Sequence, residues 1–189
     1  MAKKYQKISL QEVAKLLDSP IHEHRFTGLV ILVEKYKKAN IKDKKEIYQF
    51  YLDHLHAVNN WDLVDTSAPY IVGDYLLEHH ENRELLYKLA KSNDLWERRV
   101  SILATFAFIK NSDFKDALAI SQILVDDSHD LIHKAVGWML REIGKKDQSV
   151  EEKFLNKHAA TMPRTMLRYA IEKFDEPQRQ YYLGRRDSK

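Results

Sequence analysis

Residues 95–111 read LWERRVSILATFAFIKN, and residues 131–146 read LIHKAVGWMLREIGKK. Each follows a polar turn, carries charge in its first turn and then becomes apolar. Ile102, Leu103, Phe106 and Ile109 recur at the spacing of one helix face. The same shape appears at 22–38 (HEHRFTGLVILVEKYKK), where Phe26, Leu29, Val30 and Val33 form the face, and in shorter form at 162–174 (MPRTMLRYAIEKF). Arg25, Arg99 and Lys134 occupy matching places, 74 and 35 residues apart, and half of the first step lands on Asp62. A period of about 35–40 residues with two helices per unit is the mark of HEAT-like repeats. It predicts an all-α chain stacked as a curved α-solenoid. Residues recurring at one repeat position then form a stripe on the concave face.

The rest of the chain agrees with this reading. Its 189 residues suit one domain with a sizeable core. Only 5 Gly and 4 Pro occur, too few for the frequent turns of an all-β sandwich. No glycine-rich phosphate loop is present. The absence of Cys excludes disulfides, thiol catalysis and Cys-ligated metal sites. Breaks at Asp18-Ser19-Pro20, Ala39-Asn40, Val58-Asn59-Asn60 and Asp126-Asp127-Ser128 divide about nine or ten helices of about 10–18 residues, with Pro69 splitting the stretch from Trp61 to His79. The expected organisation is a single domain over 1–174 that includes a short N-terminal helix over 5–18. A polar tail over 175–189, broken by Pro177, is expected to fray. The start of the chain lacks the pattern of a signal peptide, and a cytoplasmic, monomeric protein is expected.

The formal net charge of +3 permits a polyanionic partner. Arg25, Arg99 and Lys134 suit the backbone of duplex DNA if they line a groove; alternatively they are solvated groups or ion-pair partners. In the segment 59–65, NNWDLVD, Asn60 is placed to cap a helix, Asp62 falls in its first turn, and Trp61 and Asp65 share a face. A carboxylate beside an indole on a wall suited to anions points to stabilisation of a cation formed during a reaction. The alternative pairs Asp65 with an arginine and buries Trp61. Trp138 lies four residues after Lys134, and Gly137 beside it permits a close helix approach. His22/His24 and His54/His56 are two apart, which on a helix points them in different directions. No metal site is expected from them.

Four segments, NNWDLVDTSAPYIVGDYL, LWERRVSILATFAFI, LIHKAVGWMLREIGK and MPRTMLRYAIEKF, resemble in order and separation the motifs of AlkD-like DNA alkylation repair proteins, which are HEAT-like-repeat DNA glycosylases. The likeness spans about residues 20–174. It implies that Trp61 and the catalytic Asp65 stand in the W-D-x-V-D motif, Arg99 in W-x-x-R and Trp138 in K-A-x-G-W. It further implies excision of N3-methyladenine and N7-methylguanine from duplex DNA without a metal or organic cofactor, and without turning the base into a pocket. Asp65 would stabilise the oxocarbenium-like sugar and position water, Trp61 and Trp138 would pack on the deoxyribose, and Arg99 would clamp a phosphate. Arg25, Lys134 and Arg164 complete the expected DNA contacts. The chain departs from the family in its short N-terminal region, which bears on the DNA footprint. A non-catalytic DNA-binding solenoid and a protein-binding solenoid are the alternatives.

Overall fold

The computed structural model describes residues 8–185. Among these residues the only regular structure is helical, thirteen α-helical stretches joined by short 3-10 and π turns. The chain divides into two compact units, Met1–Arg83 and Glu84–Lys189. Pro69 divides the stretch from Trp61 to His79 as expected, but helices are more numerous and several are shorter than expected, in part because Thr105 divides what the apolar pattern joins. No helix among the described residues is long and apolar enough to cross a membrane.

In the first unit, α1 (Leu10–Leu17) begins at a reciprocal cap in which Ser9 and Glu12 each satisfy the other's backbone N–H. The expected helix over 5–18 therefore starts at Leu10, and residues 5–7 lie outside the described residues. Helix α2 (His22–Lys38) packs on α1 and on α4 (Trp61–Ala68). His22 at the start of α2 meets Asp62 at the start of α4, and Lys37 near its end lies 5.4 Å from the ring of Tyr70, just beyond α4. The two helices thus run parallel one repeat apart, as the period predicts. Helix α3 (Ile41–Asp53) returns between them in sequence, capped by Asn40. After α4 the chain forms a π-helical turn over Pro69–Gly73 and then α5 (Asp74–Glu78).

The second unit runs through α6 (Glu84–Ala90), α7 (Leu95–Ala104), α8 (Phe106–Lys110), α9 (Lys115–Ile123), α10 (Asp130–Gly144), α11 (Gln148–His158), α12 (Arg164–Ala170) and α13 (Glu176–Gly184). Arg99 reaches the carbonyl of Leu131 and Phe106 meets Trp138, so the α7–α8 run lies parallel to α10. Arg141 pairs with Glu172, and Asp130 accepts from Thr165, so α10 and the α12 segment run parallel as well. The tail expected to fray carries α13. Asp175 caps it and Pro177 sits in its first turn, where a missing N–H costs nothing.

Gly137 lets α10 and α12 touch. A Cβ there would lie 2.4 Å from the Met166 carbonyl oxygen and 2.6 Å from the Tyr169 Cβ. Gly137→Ala is therefore expected to destabilise the protein by about 1–3 kcal/mol in chemical denaturation, because backbone cannot yield as a flexible side chain would. Helix propensity alone predicts the opposite sign, a gain of up to about 1 kcal/mol. A variant as stable as the parent would show that the contact relaxes.

Candidate active site

Helix α4 presents the segment that sequence singles out. Asn60 accepts a hydrogen bond from the Trp61 backbone N–H at 2.7 Å, fixing the entry to the helix. Beneath the helix, the buried Ser67 hydroxyl is within 2.9 Å of the Tyr51 hydroxyl and donates to the Leu63 carbonyl. Leu63, Val64 and Ala68 are fully buried. The helix is thus anchored along its buried face, and Trp61 and Asp65, four residues apart, share a strip at the edge of that face. Trp61 is 53% exposed, so the alternative that made it a core residue does not hold. Asp65 is half-buried one turn further on. Pro69, four residues after Asp65, has no N–H to give the Asp65 carbonyl, and the helix widens into the π turn there. Such turns interrupt helices frequently at functional sites.

A pair that sequence reading missed adjoins them. His22 Nε2 lies 2.8 Å from Asp62 Oδ2, with both side chains partly exposed. Asp62 and Asp65 are three residues apart on α4 and so lie on one side of it. The sequence does hold a trace of the pair: His22 and Asp62 are 40 residues apart, one repeat length. His24 instead meets Ser19 Oγ at 2.9 Å. Among the described residues no cluster of three or more His, Asp or Glu could hold a metal ion.

The expected cationic row is engaged inside the protein. Arg25 donates to the Ser19 carbonyl at 2.9 Å and to Asn59 Oδ1 at 3.2 Å. Arg99 is 4% exposed and donates to the Leu131 carbonyl in the first turn of α10. Lys134 pairs with Asp130 at 2.7 Å. Their hydrogen bond raises the Lys134 ammonium above its ordinary value and lowers the Asp130 carboxyl. Arg164 donates to the carbonyls of Leu183 and Arg185 at the end of α13, at 2.6 and 3.5 Å. These are not simply solvated cations, and their acceptors are mostly backbone carbonyls, which sequence does not reveal. A guanidinium has five N–H donors, so such bonds leave capacity for other partners. Arg185 holds Asn156 through its carbonyl and side chain, and Arg186 lies outside the described residues.

Trp138 is half-buried on α10. Its indole N–H donates to Glu142 Oε1 at 3.1 Å, and its ring lies 6.1 Å from that of Phe106, tilted by 44°. The close approach permitted by Gly137 is made by α12, in the turn adjacent to this tryptophan.

The geometry can be set beside known proteins. A solved structure described as a predicted DNA alkylation repair enzyme from Enterococcus faecalis superposes with a TM-score of 0.71 over 93% of this chain and 81% of that one, at 12% identity. The crystal structure of AlkD2 from Streptococcus mutans gives 0.65 over 92% of this chain and 86% of that one, at 19% identity. At such identities the likeness is one of fold. No curated protein matches the sequence. The sequence profile of the family described as DNA alkylation repair enzyme matches residues 1–174, nearly the whole chain, and the protein therefore belongs to the DNA alkylation repair enzyme family.

Proposed function

We propose that the protein is a DNA glycosylase that releases positively charged alkylated purines, N3-methyladenine and N7-methylguanine, from duplex DNA. The observation that carries this reading is the pairing of an exposed Trp61 with Asp65 on one side of an anchored helix. An indole left in water forgoes about 1.5–3 kcal/mol of burial. A deoxyribose packed on it recovers part of that, and its ring face attracts a cation.

The chemistry needs little else. Alkylation at N3 or N7 leaves the purine cationic, so it departs without an acid to protonate it. The C1′–N9 bond breaks with its electron pair going to the purine, which leaves neutral. The sugar becomes an oxocarbenium-like cation, opposed by the Asp65 carboxylate. Water attacks C1′, and its proton passes to Asp65 or to solvent, giving a free base and an abasic site. Trp138 takes the second indole role that its motif assigns. Arg25 and Lys134 contact the DNA backbone, Lys134 in competition with Asp130. Arg99 and Arg164 act mainly by positioning α10 and α13, to whose carbonyls they are bonded.

The test is direct. The purified chain, incubated with N-methylated duplex at neutral pH in the presence of a chelator, is expected to release 7-methylguanine. Duplex binding without any base release would overturn the enzymatic reading in favour of a non-catalytic DNA-binding module.

A further inference from the structure

The charge of the first unit is unevenly placed. Over residues 8–83 it has nine Lys or Arg against twelve Asp or Glu, and six of the nine cations, Lys35, Lys37, Lys38, Lys42, Lys44 and Lys45, lie within eleven residues where α2 turns into α3. Of the remaining three, Arg83 is buried and Arg25 is bonded to Ser19 and Asn59. The helix start that holds Trp61 carries Asp62 and Asp65, which repel phosphate. Apart from Arg25, the grip of this unit on a polyanion therefore falls to the corner between α2 and α3.

Lys35, Lys37 and Lys38 suit the last turn of α2, where the negative end of the helix dipole favours cations, but the lysines that follow stand against the local rule for helices. Lys42, Lys44 and Lys45 occupy the first turns of α3, where the positive end of the helix dipole disfavours cations. Lys44 is offset by Asp74 at 2.9 Å. Lys38, Lys42 and Lys45 are exposed. Exposed cations placed at a cost to their own helix, as Lys42 and Lys45 are, are what an external anion would relieve, and Lys38 adds a third exposed cation across the turn.

We infer that the α2–α3 corner, through Lys38, Lys42 and Lys45, is a second contact for the phosphate backbone of duplex DNA, separate from the Trp61 end. The inference rests on the reading that the protein works on duplex DNA, though not on its being a glycosylase. His22 and Lys37 mark the two ends of α2, fifteen residues and about 22 Å apart. A duplex reaching both ends therefore spans roughly six base pairs.

The experiment measures affinity of the full chain for an undamaged duplex as a function of salt. Replacing Lys38, Lys42 and Lys45 together by Gln is expected to reduce the slope of log K against log salt by about 2–3, close to 0.9 for each lost phosphate contact. The thermal midpoint is expected to hold or rise, since two cations leave the start of α3; lysines with a structural role would lower it. Arg at the same three positions should keep the slope. An unchanged slope in the Gln variant overturns the inference, as does a parent chain without salt-dependent affinity for duplex. If the triple variant does not fold, Lys42→Gln and Lys45→Gln singly carry the test, each expected to lower the slope by about 1. Because no base release is read, a catalytically silent chain still answers the question.

Discussion

Replacing Asp65 by asparagine is expected to slow single-turnover excision of 7-methylguanine by about a hundredfold or more, while duplex affinity stays within about threefold of the parent. Asn has nearly the shape of Asp and keeps an oxygen for hydrogen bonding, so α4 can stay where Ser67 and Tyr51 hold it. What is lost is a full negative charge facing a cation that exists only as the glycosidic bond breaks. A hundredfold corresponds to about 2.7 kcal/mol, within the range seen when one preorganised electrostatic partner is removed. Ground-state binding moves little, because the lost attraction for a cationic lesion is offset by the lost repulsion of the phosphates around it. Single-turnover rates at saturating protein separate the two effects. Equal losses in rate and affinity would mean that Asp65 organises the helix rather than the reaction, and an undiminished rate would remove it from the chemistry altogether.

The repeat architecture was legible because it is written twice, in the 3.6-residue spacing of apolar positions and in the 35–40-residue recurrence of whole segments. The contact of His22 with Asp62 and the parallel run of α2 and α4 follow directly from that period. Asn60 as a cap, Pro69 as an interruption and the shared face of Trp61 and Asp65 were legible too, since each depends on neighbours within a turn or two. The partners of the cations were not. Arg99 and Arg164 give their hydrogen bonds to the carbonyls of Leu131 and Leu183, and every residue type carries the same carbonyl. Pro177 misled in the other direction. A proline reads as a break, yet just after a capping Asp175 it begins a helix. Gly144 has a role that a glycine at a helix end does not advertise. It ends α10, and its missing side chain also leaves room for a carboxylate, since a Cβ there would lie 1.7 Å from Glu151 Oε2.

That carboxylate sets the pH response of stability. Glu151 is 1% exposed, and its Oε1 is a buried oxygen without a hydrogen-bond partner among the described residues. Burial, helped by the nearby Glu152, pushes its carboxyl up to about 9, with Arg141 opposing. The folded protein therefore keeps this proton across a range where the unfolded chain, with an ordinary glutamate, has released it. Folding takes up a proton, so the contribution of Glu151 to stability is fully present below about pH 4.5 and is lost progressively as pH rises towards 9. Glu151→Gln replaces the protonated acid by a neutral amide of the same size and removes the linkage. Denaturant unfolding at pH 5 and pH 8 is expected to show the variant gaining on the parent by about 2–4 kcal/mol between the two, the upper figure being three pH units of one-proton linkage. His158, seven residues along α11 and also buried, has its imidazole pushed down by burial and gives the opposite trend. It is common to both proteins and cancels in their difference. Parallel stability curves for parent and variant would mean that Glu151 ionises in the folded state with a compensation supplied by Arg141, and that the space kept by Gly144 holds a charge rather than a neutral acid.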